Sequence, residues 1–268
     1  MGPTTKSITL RGDVTFEQLS DSYYVQAKGL IDGGADILLL ETAFDTRNVK
    51  AGVLAIQKLE REIGESIPLM ISGTIERWGA MLAGQPIDAL YASLSHANLL
   101  SIGLNCATGP DMMTDHIRTL AEMASTRISC YPNAGLPNEE DKYMETPESL
   151  AKQLEKFVER GWLNIVGGCC GTTPAHIRAI AQMAEGRPPH KVNSPSHRAY
   201  YSGIELVEVL VERTGGEERP WRCPAPNTEG HGPLPRGDRP APEEKHGECG
   251  ADRGATEDRK STRLNSSH

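Results

Sequence analysis

Apolar and polar positions follow two rhythms over the first 185 residues. Short apolar runs occur at Asp36–Glu41, Ile67–Gly73, Leu99–Asn105, Arg127–Tyr131 and Leu163–Gly167. Between and after them lie stretches with one apolar face at helical spacing: Arg47–Ile63, Pro86–Ala97, Asp111–Ala124, Pro147–Arg160 and Pro174–Glu185. A further amphipathic stretch, Thr15–Ile31, precedes the first run. Runs too short for helices, alternating with helix-period segments, predict parallel strands joined by helical crossovers. Two helix starts are marked. Thr146 before Pro147 and Thr173 before Pro174 place a hydroxyl at the N-cap and Pro at the first helical position. Thr146 has Ser149 where a capping box would need Glu or Gln, so no box is expected there.

The units recur at about 35 residues, which suits either a doubly wound sheet or a (β/α)8 barrel. A doubly wound dinucleotide binder would carry G-x-G-x-x-G after its first strand, and that motif is absent. Polar and sulfur-bearing residues gather instead where the apolar runs end: Glu41, Thr74, Asn105, Cys106, Asn133, Cys169 and Cys170. Barrel active sites draw on the C-terminal ends of several strands in this way. The expected fold is therefore α/β, a (β/α)8 barrel. Only five units are legible, so the barrel is expected to be incomplete, with about strands 4–8 present and the N-terminal strands missing.

The rhythm stops after Glu185 and is lost from Gly215 onward. Eight of the chain's 27 glycines and seven of its 18 prolines fall in that last stretch, where helix and strand are both interrupted. Residues 215–268 are expected to be disordered, because they cannot bury enough apolar surface to offset ordering entropy. Lys260–His268 reads as adaptor or vector-derived sequence, and the whole tail as frame-shifted, with a natural Pro-rich linker as the alternative. The net charge of −8 argues against a binder of nucleic-acid phosphates. No apolar run approaches a membrane span, and Met1–Lys6 lacks the apolar core of a secretory signal, so a cytoplasmic location is expected.

Of six cysteines, Cys223 and Cys249 fall in the tail, and Cys130 lies inside an apolar run, where a buried thiol is common. Cys106, Cys169 and Cys170 each follow directly after a strand. Adjacent cysteines make a strained disulfide, and a reducing compartment disfavours one. Three thiolates with one open position is the ligand count of a catalytic zinc site. Three separately buried thiols fit the spacing equally well, since no C-x-x-C pair is present. Glu41 is similarly open between a ligand contact and a strand-end carboxylate that caps the next helix. Thr172 and Thr173 read as caps.

The segments Gly103–Pro110 (GLNCATGP), Tyr131–Pro137 (YPNAGLP) and Asn164–Ile177 (NIVGGCCGTTPAHI) resemble the homocysteine S-methyltransferase family. The likeness is nearest to the homocysteine-binding domain of cobalamin-dependent methionine synthases. Asp36–Asn48 and Met70–Thr74 fit the same pattern, and the resemblance runs from about Gly2 to Glu185. It implies a (β/α)8 barrel in which Cys106, Cys169 and Cys170 hold Zn²⁺ and the homocysteine sulfur is the fourth ligand. It further implies that Asn133 can occupy the open metal position before substrate arrives, that Glu41 contacts the substrate ammonium, and that Asn105 orients the metal loop. The family's opening strands have no counterpart, and Gly2-Pro3-Thr4 resembles the end of the third. Residues 1–190 are thus expected to form a partial barrel. Residues 191–214, with Ser202–Glu205 and Leu210–Thr214, resemble a linker toward a folate-binding domain. Methylcobalamin and methyltetrahydrofolate would bind in further domains not found in this sequence. The expected activity is methyl transfer from methylcobalamin to homocysteine, giving methionine. The alternatives are a stand-alone enzyme using betaine or S-methylmethionine, or an inactive fragment.

Overall fold

The computed structural model describes residues 1–140, 142–195 and 199–209. The tail read as disordered, with Cys223 and Cys249, lies outside the described residues. Helix α1 (Phe16–Asp32) leads into five strands, each followed by a helix. These are β1 (Leu38–Ala43), α2 (Thr46–Ile63), β2 (Leu69–Gly73), α3 (Ile87–Leu94), β3 (Leu99–Asn105), α4 (Pro110–Met123), β4 (Arg127–Tyr131), α5 (Pro147–Glu159), β5 (Ile165–Val166) and α6 (Pro174–Ala184).

The sheet order is β1-β2-β3-β4-β5, and every pairing is parallel. A doubly wound sheet must reverse its strand order to place helices on both faces. Here the order never reverses, and right-handed crossovers in one direction put every helix on the same side. That is the winding of a (β/α)8 barrel, present as an arc of five units. The barrel is incomplete, as the sequence predicts.

The two faces differ in bulk. Ile71, Ile102 and Ile128 align across β2, β3 and β4 and enter the core with Leu38, Leu40 and Leu104. Leu40 lies against Gly52 of α2, and Gly73 faces Leu90 of α3, so this is the helix side. The opposite, inner face carries Ser72, Ser101, Gly103 and Ser129. The three serine side chains are fully buried there, and those of Ser72 and Ser101 have no hydrogen-bond partner among the described residues. A Cβ on Gly103 would lie 1.9 Å from the Ser129 carbonyl oxygen, so β3 and β4 approach closely on this face.

The N-terminal segment is fastened to the start of α2. Buried Asp45, its N-cap, accepts bonds from Ser7 Oγ (2.7 Å), Thr9 N–H (3.1 Å), Thr9 Oγ1 (3.0 Å) and Arg47 N–H (2.9 Å). Met1 donates to the Leu39 carbonyl at 2.8 Å and its carbonyl accepts from Glu41 N–H at 3.1 Å. These two bonds flank Leu40 and form one parallel bridge on the outer edge of β1.

One stretch differs from expectation. Within the segment read as a linker, Ala199–Ser202 (β6) and Leu206–Val209 (β7) form an antiparallel hairpin. Gly203 closes its turn, donating to the Glu205 carbonyl at 3.1 Å. The hairpin packs on α3.

Candidate metal centre

Two loops, after β3 and after β5, bring Cys106, Cys169 and Cys170 together, and the loop after β4 braces them through Asn133. Cys106 Sγ lies 3.6 Å from Cys170 Sγ, which lies 3.9 Å from Cys169 Sγ, and all three sulfurs fall within 4.8 Å of one another. A tetrahedral ion with metal–sulfur bonds of about 2.3 Å separates its sulfurs by about 3.8 Å. The triad therefore fits Zn²⁺, and it leaves one position for a further ligand.

Each loop is shaped to present its sulfur. After β3, Cys106 (φ 61°) and Ala107 (φ 55°) both adopt the left-handed region, which side chains other than glycine rarely enter. The turn is held by Thr108 N–H to the Cys106 carbonyl (2.6 Å) and Cys106 N–H to the Tyr131 carbonyl (3.1 Å). After β5, Gly171 (φ 78°) turns the chain behind the paired thiols. Thr172 Oγ1 donates to the Cys169 carbonyl at 2.7 Å, and Cys169 N–H to the Pro132 carbonyl at 2.8 Å.

Asn133 and Asn105 brace this arrangement from two sides. Asn133, buried, accepts the Cys170 N–H on its Oδ1 at 3.1 Å. Its oxygen is thus engaged by the thiol loop's backbone. Asn105, also buried, donates from Nδ2 to Cys169 Sγ at 3.7 Å and to Thr42 Oγ1 at 2.8 Å. Glu41 stands two strands away in β1, half-buried, and no ion pair to it forms among the described residues. The capping reading of Glu41 does not hold, because Asp45 caps α2. Cys130 is fully buried against Met113 and takes no part.

In the absence of a cation, burial favours the neutral thiols of Cys106 and Cys169. Burial pushes the Cys106 thiol up, and its neighbour Cys170 adds to the rise. Burial pushes Cys169 up to about 12, opposed by the Asn105 hydrogen bond and reinforced by the other two thiols. A positive ion would balance thiolates at Cys106 and Cys169, which burial otherwise disfavours.

Two further residues shape the site and are not singled out by their sequence pattern. Tyr143, in the loop before α5, packs on Gly171, where a Cβ would fall 2.2 Å from its ring. Burial and the neighbouring cysteines raise its phenol. His176 accepts Thr173 N–H on Nδ1 (3.1 Å), and its Nε2 faces the Glu145 carbonyl at 2.9 Å. It therefore ties the start of α6 to the loop that carries Tyr143.

The pattern of the homocysteine S-methyltransferase family matches residues 1–184. The chain belongs to that family. Among solved structures, the apo homocysteine methyltransferase MmuM of Escherichia coli is 20% identical with a TM-score of 0.52, covering 68% of this chain and 60% of its own. The oxidized form of that enzyme is 21% identical with a TM-score of 0.50, covering 66% and 56%. These likenesses show the shared fold. This chain spans about three fifths of the length of the first of them. No described helix is long and apolar enough to cross a membrane.

Proposed function

We propose that Cys106, Cys169 and Cys170 hold Zn²⁺ and that the chain is the homocysteine-activating part of a cobalamin-dependent methionine synthase. The observation that carries this reading is the spacing of the three sulfurs at the C-terminal mouth of the sheet. Bound Zn²⁺ would supply the charge that keeps a substrate thiol deprotonated at neutral pH. The protein's own residues do the rest. The cysteines fix the place where the sulfur is held, and Asn105 steadies Cys169 by donating to its sulfur. Glu41 offers its carboxylate, which forms no ion pair among the described residues, to the ammonium of homocysteine. Asn133 would have to release the Cys170 N–H before it could turn toward the open metal position. A positioned thiol attacks a methyl group more readily because orientation is settled before the reaction.

Methylcobalamin, replenished by methyltetrahydrofolate, is the proposed donor, with both carriers bound in further domains and the protein in the cytoplasm. The resemblance of Ser202–Thr214 to the lead into a folate-binding domain supports this over betaine or S-methylmethionine as donor. The chain alone is expected to turn over homocysteine negligibly.

The test is metal analysis of the purified full chain after reconstitution. About one zinc per chain, lost in Cys106→Ser, is expected from a three-cysteine site. Absence of bound zinc in the wild-type chain would overturn the reading. Separate cobalamin- and folate-binding domains, added to a version extended to the relatives' length, should restore methyl transfer. Transfer from betaine without them would overturn the choice of donor.

A further inference from the structure

The register of β1 changes at its end. Leu40 stands opposite Ile71, and Ala43 opposite Gly73, so Glu41 and Thr42 together face the single residue Ser72. Leu40 and Gly73 belong to the helix side. The extra residue therefore places two consecutive side chains, Glu41 and Thr42, on the inner face, where a regular strand would place one. Thr42 has φ 54°, a costly conformation for a β-branched residue, and such strain persists only where the surroundings impose it.

Asn105 imposes it. Its Oδ1 accepts Thr42 N–H at 2.9 Å and its Nδ2 donates to Thr42 Oγ1 at 2.8 Å, reaching from β3 across β2 to β1. The same Nδ2 reaches Cys169 Sγ at 3.7 Å. Both amide hydrogens and the amide oxygen are thus committed, and one side chain holds the β1 bulge and a thiol at once.

We infer that Thr42 and Asn105 are positioning residues that set the distance between the Glu41 carboxylate and the cysteine triad, and so favour a thiol that carries an α-amino group over one that lacks it. The inference rests on the proposed roles of Glu41 and the cysteines. Without the bulge, Thr42 would turn to the helix side and Glu41 would lose its fixed place beside it. Without Thr42 Oγ1, one amide hydrogen of Asn105 loses its acceptor, and the hold on Cys169 loosens with it. The substrate class is one whose thiol end reaches the metal while its ammonium end reaches Glu41. Homocysteine satisfies both anchors. 4-Mercaptobutyrate, the same skeleton without the amine, satisfies only the first.

The test uses the full chain loaded with Co²⁺, whose thiolate charge-transfer bands report the sulfur environment directly. The variants are Thr42→Val, which keeps the shape and removes the acceptor, and Thr42→Gly, which also relieves the strain. Wild-type chain should bind homocysteine more tightly than 4-mercaptobutyrate. Both variants should still take up cobalt and keep a cooperative melt, while that preference falls by about tenfold, the usual scale for outer-shell partners of a metal site, and the bands shift. A role in folding alone would move the melt but leave the preference and bands in place. Cobalt-loaded variants that match wild type in both would overturn the link and leave the thiol site standing. A wild-type chain that binds cobalt but does not distinguish the two thiols would overturn the link together with the role of Glu41. A wild-type chain that takes up no cobalt would overturn the metal reading and this inference with it.

Discussion

Asn133 accepts the backbone N–H of Cys170 at 3.1 Å, so the loop after β5 hangs from the loop after β4. The Ala134 N–H returns a bond to the Cys170 carbonyl at 2.9 Å. In Asn133→Ala the Cys170 N–H loses its partner, at a cost of about 1–3 kcal/mol if it stays shielded from water. Metal affinity should drop by about 10- to 100-fold, because an outer partner of a ligand is lost. Competition with a chromophoric chelator measures it. Unchanged affinity would show that the loop holds its shape without Asn133.

Gly171→Ala should be more damaging than its size suggests. The new Cβ would fall 2.2 Å from Tyr143 Cγ, and the backbone sits at φ 78°. The Tyr143 loop must move or the thiol loop must change its turn. Lower metal occupancy and a lower urea midpoint are expected together. Combining the change with Tyr143→Gly should recover part of the occupancy, because the contacts with both the ring and the Tyr143 Cβ are removed while the backbone cost remains.

None of the bonds to Asp45 involves a cysteine, and this clasp should act on stability alone. Asp45→Ala removes an acceptor used by Ser7, Thr9 and Arg47 together. A cap is typically worth about 1 kcal/mol and a bond to a charged group about 1.5–3 kcal/mol, so a total loss of about 3 kcal/mol is expected. Denaturant unfolding gives the stability, and metal titration of the folded variant should match wild type. A change in metal affinity would mean that the N-terminal segment reaches the site.

Cys130 gives a pH prediction. Burial pushes its thiol up to about 12 in the folded chain. An unfolded thiol titrates near about 8.5. Between those values the folded chain keeps a proton that the unfolded chain has released. The stability contribution is therefore complete below about pH 8.5 and is lost as pH rises toward 12, at about 1.4 kcal/mol per pH unit for one proton. Unfolding free energies from urea titrations at about pH 7.5 to 10.5 should fall less steeply for Cys130→Ala than for wild type, by up to that slope above about pH 8.5. Equal slopes would show that Cys130 is not sealed from water in solution.

The winding and most elements were legible because each unit repeats the same contrast of apolar run and amphipathic helix. β3 and β4 match their apolar runs end to end. Thr146 caps α5 through Ser149 N–H without a box, as its missing Glu predicts. β1 was harder to read. Its run ends at Glu41, yet the strand continues to Ala43, because the bulge turns Glu41 and Thr42 to the inner face and breaks the alternation that periodicity detects. β5 shrank to Ile165–Val166, since it pairs on one side only and glycines follow. The hairpin at Ala199–Val209 escaped notice because its exposed face carries Tyr201 and Val207, leaving weak polar alternation. The cysteines were visible from their places after strands. Tyr143 was not, since a tyrosine in a polar loop carries no periodic signal, and only its seat on Gly171 reveals its place.

The unequal faces of the sheet make the middle of each of β2, β3 and β4 a wedge. Isoleucines and leucines widen the helix side, while Ser72, Ser101, Gly103 and Ser129 narrow the other. A row of wedges bends as it is laid down, without needing a last strand to meet the first. Curvature in this molecule is thus a local property of neighbouring strands, and it brings the loops after β3, β4 and β5 within reach of one another while both outer edges stand apart.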